Sequence, residues 1–196
     1  MEAANAASII AKDKIKKMKK NNHGWEQLLF YDIRRLEATE EEIKGLLPDL
    51  LTKTRSLRLM TILQKYLIFI DDGINKLNTI IKEGGIGVLL QANSAITIVW
   101  RDTKEKLHYC NSEPETDHCI VTSLMQMAAI KIYQCQQAAL LSEKLGHSTI
   151  KNLLLTVIDN EQRILKWLTE LQEKEKIEQE ENSTGQSLLR QAYWIL

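Results

Sequence analysis

Apolar residues recur every three or four positions along two neighbouring stretches of the chain, which is the period of a helix with one buried face. The first stretch covers about residues 25–55 and the second about residues 57–82, and each predicts one long helix. The predicted inward positions are Leu29, Ile33, Leu36, Glu40, Ile43, Leu47 and Leu50 in the first helix, and Leu59, Leu63, Tyr66, Ile70, Leu77 and Ile80 in the second. Pro48 falls inside the first helix and removes a backbone hydrogen bond, so we expect a kink there.

A third long helix is predicted in the second half of the chain. Ser112 and Glu115 have the spacing of a capping box, with Pro114 in the first turn, and this indicates a helix over about residues 114–145. Gly146 follows directly and is expected to form its C-terminal cap.

The fourth long helix is predicted over about residues 148–178, with Ser148 as its N-cap. Its predicted inward positions are Leu154, Val157, Glu161, Ile164, Leu168 and Leu171. The highly charged segment QEKEKIEQEEN then indicates solvated helix or linker. Ser183 with Gln186 suggests a new cap, which would open a short apolar helix at the C-terminal end.

The connection between the second and third helices is long, about residues 86–111. Gly84 and Gly85 precede it and can cap the second helix. Residues 93–108 predict a short helix, whereas the β-branched run AITIVW leaves a strand as the alternative. The inward positions of this short helix would be Ile96, Val99, Trp100 and Leu107.

Two pairs of long helices, each pair joined by a short turn and linked by one long crossover, predict an all-α fold. This is the topology of the ferritin-like antiparallel four-helix bundle, with the crossover containing a short helix and a short C-terminal helix added. We expect a basic, flexible N-terminal arm over residues 1–24, the bundle over 25–178, and a linker with a short amphipathic helix over 179–196.

The balance of charges narrows the classes of function. The 196 residues include 26 Lys+Arg and 26 Asp+Glu, and this zero net charge argues against a dedicated nucleic-acid binder. No apolar run reaches the roughly 18–20 residues of a membrane span. The odd count of three cysteines, without a CxxC pair, favours reduced thiols. We therefore expect a soluble cytoplasmic protein with no membrane span.

Two acidic residues interrupt otherwise apolar faces, namely Glu40 in the first helix and Glu161 in the fourth. Burying an isolated carboxylate is costly, so each must be protonated, paired with a cation or bound to a metal. Slightly rotated helices would instead let both acids reach water. A buried polar network is a further alternative, with Lys131, Tyr66 or Gln134 satisfying the acids.

A metal site is the remaining interpretation, with Asp71, Asp72 and Asp159 as additional oxygen ligands if the helical register differs by a turn. In dinuclear-metal bundles, inward Glu residues are joined by Glu-x-x-His pairs, and the inward positions of the predicted helices offer no such pair. The positions that would carry ligands hold Tyr66, Phe69 and Gly73 in the second helix, Ala128 and Lys131 in the third, and Ile164 in the fourth. The four histidines, His23, His108, His118 and His147, lie at or near predicted helix ends.

The chain resembles the YciE/YciF group of ferritin-like proteins, a bacterial family of poorly defined function often linked to stress. The resemblance rests on YDIRRLEATEEEIKGLLPDL, LQKYLIFIDDGINKLNTII, the crossover, and QQAALLSEKLGHSTIKNLLLTVIDNEQRILKWLTEL, which together cover about residues 25–171. Its most recognisable elements are the helix-1 acid followed by Leu47-Pro48, and the joint at Leu145-Gly146.

The resemblance implies a homodimer and a dinuclear metal site, of which this sequence matches Glu40 and the acid at Asp159 or Glu161. The family's helix-2 histidine and acid fall on Tyr66 and Phe69. Its helix-3 acid falls near Ala128.

Two functions are therefore expected as alternatives. The first is a non-catalytic, stress-associated structural or interaction module that has lost its metal centre, needs no cofactor and is not an enzyme. The second is an iron- or manganese-binding protein or oxidoreductase that uses Glu40 and Glu161. The expected partners are a second copy of the chain and a protein bound through the C-terminal helix. We expect no nucleic-acid partner.

Overall fold

A computed structural model describes the backbone of residues 2–83 and 95–193 and the side chains of residues 23–83 and 95–174. Five helices make up the described backbone, which contains no strand. They are α1 (Glu2–Lys53), α2 (Leu57–Glu83), α3 (Ala95–Leu107), α4 (Glu113–Leu145) and α5 (Ser148–Tyr193). The predicted all-α class is confirmed.

The four long helices form a bundle of two antiparallel hairpins. A three-residue turn joins α1 to α2, a two-residue turn joins α4 to α5, and such short joints force neighbouring helices to run antiparallel. The hairpins pack side by side, with α1 against α4 and α2 against α5. The crossover helix α3 lies on α4 and also touches α1. The predicted four-helix bundle with one long crossover is confirmed.

The core divides into two clusters of buried side chains. One lies towards the α1–α2 turn and includes Leu50, Leu59, Ile120 and Leu168. The other lies towards the α4–α5 turn and includes Leu29, Ile80, Cys135 and Leu154. The inward positions first predicted for the first, second and fourth long helices are all buried, because the helical period of the sequence aligns these side chains on the packed faces.

The helix ends follow the local chemistry of the sequence. The Ser112 hydroxyl accepts from the Glu115 N–H and the Glu115 side chain accepts from the Ser112 N–H, so the predicted capping box is formed. Gly146 has a φ of 78°, a left-handed conformation that favours glycine, and its N–H caps α4 as predicted. At the α1–α2 turn, buried Asp117 of α4 accepts from the Thr54 hydroxyl and, at 3.2 Å, from the Ser56 N–H.

Two helices are longer than the sequence pattern indicated. α1 begins at Glu2, so the predicted helix start near residue 25 is wrong; the segment is rich in alanine and lysine, which favour helix without any packing partner. α5 continues to Tyr193, through the segment predicted to hold a linker and a separate short helix. The glutamate, lysine and glutamine residues there also favour helix. The domain boundaries at residues 24 and 179 stay predictions.

The crossover segment AITIVW forms helix rather than strand, in α3. Ile96 is fully buried, and Val99, Trp100 and Leu107 are packed against the first cluster. Thr103 is also buried, and its hydroxyl lies 2.7 Å from that of Ser123 in α4. Packing on α4 therefore decides the helix, overriding a weak β-propensity. The predicted glycine cap at residues 84 and 85 lies outside the described residues.

Pro48 lies within α1 without ending it, and the predicted kink stays a prediction. Among the described residues, no helix combines the length and apolar character needed to cross a membrane.

Candidate functional site

A charged layer separates the two apolar clusters at the middle of the bundle. Glu40 follows Leu36 by one turn on α1, and Glu161 precedes Ile164 on α5, so the helical period places both acids on inward faces. Each is only 1% exposed, and the Lys131 side chain of α4 is equally buried. Lys131 Nζ lies 2.6 Å from Glu40 Oε2 and 2.5 Å from Glu161 Oε1. One ammonium therefore bridges the two carboxylates.

Glu40, Lys131 and Glu161 form what we call the ion triad, and Tyr66 of α2 contacts two of its members. Its hydroxyl donates to Glu161 Oε2 at 2.8 Å, and its ring centre lies 5.3 Å from Lys131 Nζ. Both oxygens of Glu161 are thus satisfied, whereas buried Glu40 Oε1 has no hydrogen-bond partner in the described part of the chain. An unpartnered buried acceptor of this kind destabilises the ionised form.

Gly73 of α2 provides the space that the Glu40 carboxylate occupies. A Cβ atom at this position would lie 2.5 Å from Glu40 Oε1 and 3.2 Å from Glu40 Cδ. Phe69, which the sequence pattern placed at the same inward face, lies elsewhere and stacks on Trp167 of α5 with ring centres 6.0 Å apart. Gly73, and not Phe69, is therefore the α2 position next to the acids.

The charges and burial of the triad shift its proton equilibria. Burial raises the pKa of Glu40 to about 7, because desolvation and the nearby Glu161 together exceed the opposing effect of Lys131. Burial acts to lower the pKa of Lys131, but Glu161 and Glu40 outweigh it and raise that pKa. Burial, and then Glu161, raise the pKa of Tyr66 well above its usual value. Lys131 therefore stays charged and Tyr66 neutral, whereas Glu40 takes up a proton near neutral pH.

The arrangement matches one of the interpretations left open by the sequence, the buried polar network. The acids do not reach water, and Lys131 and Tyr66 are their partners. Gln134, the third candidate partner, instead faces the hydroxyl of Thr39 at 3.4 Å. The two carboxylates come together as a pair, although their common neighbour is an ammonium group.

Asp159 is not part of this cluster. It lies on the outer face of α5, more than half exposed, where it pairs with Arg163 at 2.7 Å. It is two residues from Glu161, and two residues on a helix lie about 200° apart. The structure thus joins Glu40 with Glu161 and leaves Asp159 at the surface.

The residues present do not fit a dinuclear metal centre. Within the described residues, no group of three or more His, Cys, Asp and Glu side chains is placed to hold a metal ion. The two carboxylates already bind Lys131, whereas His23 is exposed within α1 and His108 and His118 are exposed near helix ends. Iron and manganese in such bundles are held by several carboxylates together with imidazole ligands, which this layer lacks.

Asp117 is a buried acid that the sequence pattern did not single out. It sits in the second turn of α4 and is 6% exposed, and the α1–α2 turn provides its hydrogen-bond donors. Asp117 precedes the apolar pair Cys119-Ile120 by two residues and lies in the second turn of the helix, where the sequence pattern gave no apolar stripe for it to interrupt. Its role is to fasten the turn.

A bundle of this topology, with a facing carboxylate pair at its centre, is a ferritin-like four-helix bundle. The chain belongs to the family described as Domain of unknown function (DUF892), whose model matches residues 25–182. This family match, together with the two solved structures described next, confirms the resemblance to the YciE/YciF group that the sequence predicted. Among proteins with curated descriptions, none matches the chain.

Two solved structures share the fold. YcfI from Rhodopseudomonas palustris, described provisionally as a structural protein, has 22% identity and a TM-score of 0.68, covering 74% of this chain and 92% of its own. The E. coli stress protein YciF has 15% identity and a TM-score of 0.67, covering 75% of this chain and 93% of its own. At these identities the similarity establishes the fold.

Proposed function

We propose that this chain is a non-catalytic structural or interaction module in which a buried lysine takes the place of a dinuclear metal centre. The observation that carries the proposal is the position of Lys131 Nζ, 2.6 Å from Glu40 and 2.5 Å from Glu161. The ammonium group supplies the positive charge that buried carboxylates require. It does so with a fixed covalent side chain, so no metal has to be acquired for the bundle to fold.

The chemistry of the layer supports a structural role over a redox one. Oxygen or peroxide activation needs a metal with open coordination positions, and the two acids offer no imidazole ligands beside them. Because its pKa lies at about 7, Glu40 is also partly protonated near neutral pH, which weakens it as a metal ligand. Tyr66 satisfies the second oxygen of Glu161.

The descriptions of the two structural neighbours support the wider setting of this proposal. YciF is called a stress protein, and YcfI is provisionally called a structural protein. We infer a stress-associated, cytoplasmic role for this chain as well. We further infer that the chain acts as a homodimer and contacts a protein partner through its C-terminal segment. Light scattering and partner recovery with and without residues 186–196 test these two inferences.

Metal analysis tests the proposal directly. The full chain would be produced in medium supplied with iron and manganese, purified, and analysed by plasma mass spectrometry, and then again after anaerobic addition of Fe²⁺ or Mn²⁺ and desalting. We expect far less than one metal ion per chain. The double variant Glu40→Gln/Glu161→Gln is the matched control, because it removes both acids at little change in volume.

The competing function is an iron- or manganese-binding protein or oxidoreductase that uses Glu40 and Glu161. It is favoured by the convergence of these carboxylates and by the unpartnered Oε1 atom of Glu40. It requires Lys131 to withdraw from between them. About two metal ions per chain in the unaltered protein, as dinuclear sites hold, and none in the double variant would establish this function and overturn the proposal.

A further inference from the structure

Two thiols lie at the C-terminal end of the crossover helix. Cys110 follows α3 and Cys119 lies in the second turn of α4, and both sulfur atoms lie against backbone carbonyls of α3 that are three residues apart, on one face of the helix. Cys110 Sγ lies 3.5 Å from Lys106 O, and Cys119 Sγ lies 3.9 Å from Thr103 O. Both sulfur atoms are therefore held against the last turns of α3, within reach of one another.

The two thiols differ in access to solvent. Cys110 is half-buried in the turn between α3 and α4, whereas Cys119 is 6% exposed. Burial, followed by the neighbouring Cys110, raises the pKa of Cys119. A reagent in solution thus meets Cys110 first, and Cys119 is placed to react next. The third cysteine, Cys135, is buried in the cluster towards the α4–α5 turn.

We propose that Cys110 and Cys119 are an oxidative modification site, which forms a reversible intramolecular disulfide with a small-molecule disulfide such as oxidised glutathione. The Cys110 thiolate attacks one glutathione sulfur atom, forming a mixed disulfide and releasing one glutathione thiolate. The Cys119 thiolate then attacks Cys110 Sγ and releases the second. The two protein thiols are oxidised, the glutathione disulfide is reduced, and the two protons pass to the released thiolates.

The bond would fasten the crossover helix to the bundle. Polar contacts join α3 to α4 at Thr103, through Ser123 and Cys119, and to α1 at Thr97, whose hydroxyl lies 2.6 Å from Glu42. These polar contacts lie at or before Thr103, and the disulfide would add a covalent link between the C-terminal end of α3 and α4. We expect the α3 amide hydrogens to exchange more slowly in the oxidised protein than in the reduced protein.

The test is oxidation of the full chain with glutathione disulfide, followed by denaturation, alkylation and peptide mapping. We expect the number of alkylated cysteines to fall from three to one, with Cys135 as the residue that remains. Trypsin releases residues 107–131 as one peptide that contains both thiols. Cleavage after Glu115 then divides it into two fragments, which the disulfide holds together until reduction.

Matched serine variants identify the order of attack. Cys119→Ser should leave glutathione attached to Cys110, whereas Cys110→Ser, at a half-buried position that tolerates the change, should leave Cys119 unmodified. Cys135→Ser should form the disulfide as the unaltered chain does. Three alkylated cysteines after oxidation, glutathione that persists on Cys110 of the unaltered protein, or a disulfide only between chains would each overturn the proposal.

Discussion

At the scale of single residues, the centre of the protein is governed by one buried lysine. Lys131 is held between Glu40 and Glu161 with both acids almost completely excluded from water. A buried ion pair contributes little compared with an apolar replacement of the whole group, yet removal of one member leaves charge without a partner. The triad is therefore a specific requirement of this core.

Replacing Lys131 alone should be strongly destabilising. Lys131→Met removes the cation but leaves two buried carboxylates, and we expect the free energy of unfolding to fall by about 3–5 kcal/mol. Urea denaturation slightly above neutral pH measures the loss. The triple variant Glu40→Gln/Lys131→Met/Glu161→Gln is the control and should recover most of it. An unchanged stability for Lys131→Met would contradict the assignment.

Glu40 should make stability depend on pH around neutrality. Its pKa is raised from the usual 4.5 to about 7 in the folded chain, so the folded state binds more protons than the unfolded state between these values. This contribution, up to about 3 kcal/mol, is complete below the unfolded pKa and is lost as the pH rises through the folded pKa.

The variant Glu40→Gln cannot titrate at this position, so its stability should change less between about pH 5 and pH 8 than that of the unaltered protein. Urea titrations of both proteins across this range provide the comparison. Lys131, whose pKa is raised, titrates only at alkaline pH, so it does not change the stability between about pH 5 and pH 8. Parallel pH curves for the two proteins would refute the role of Glu40.

At the scale of the helices, α2 is shaped by the side chain that it faces. Gly73 lies in the middle of a helix, where glycine normally costs free energy relative to alanine. The Glu40 carboxylate occupies the volume of the missing Cβ atom, so this glycine makes room for the acid. At Gly73 the close approach of the Glu40 side chain therefore outweighs the low helix propensity of glycine.

Two glycine-to-alanine variants should change stability in opposite directions. Gly45 lies on the exposed face of α1, where an added Cβ atom would meet nothing within 4 Å, so Gly45→Ala should raise the free energy of unfolding by about 0.5–1 kcal/mol. Gly73→Ala must displace Glu40 from Lys131 and should lower it by about 1–3 kcal/mol. Thermal and urea denaturation of both variants give the comparison, and stabilisation by Gly73→Ala would contradict the close contact.

At the scale of the whole molecule, the bundle consists of two apolar clusters with a charged layer between them. The clusters begin at Leu29 on α1 and extend to Leu171 on α5. The family match covers residues 25–182, which is close to the same part of the chain. The stability of the bundle should accordingly reside in this part.

Removal of residues 1–22 should leave the free energy of unfolding within about 1 kcal/mol of that of the full chain, because both clusters remain complete. Leu29→Ala, at a fully buried position, is the contrasting variant and should cost about 2–5 kcal/mol. Urea denaturation of the truncated chain, Leu29→Ala and the full chain, with the free energies of unfolding compared at a common dependence on urea concentration, gives the comparison. A truncation as damaging as Leu29→Ala would mean that the N-terminal segment packs on the bundle.

The sequence by itself determined the helices and the residues that face the core. Hydrophobic periodicity located three of the four long helices, and the capping box at Ser112 and the glycine cap at Gly146 marked both ends of the fourth, α4. Periodicity also placed Glu40 and Glu161 inside. These features are local, because each depends on residues within about one turn of one another. The parts of α1 and α5 that extend beyond the apolar stripes were not predicted, because they lack the hydrophobic periodicity on which the prediction depended.

Only the tertiary structure decided what the acids contact. Lys131 is 91 positions from Glu40, and no spacing within one helix brings those side chains together. The rotation of four packed helices selected Lys131 and Tyr66 as partners, turned Asp159 outwards and put Gly73, not Phe69, beside Glu40. Packing likewise brought Cys110 and Cys119 together. The sequence located the buried carboxylates, and the packing of the bundle gave them an ammonium group as their cation.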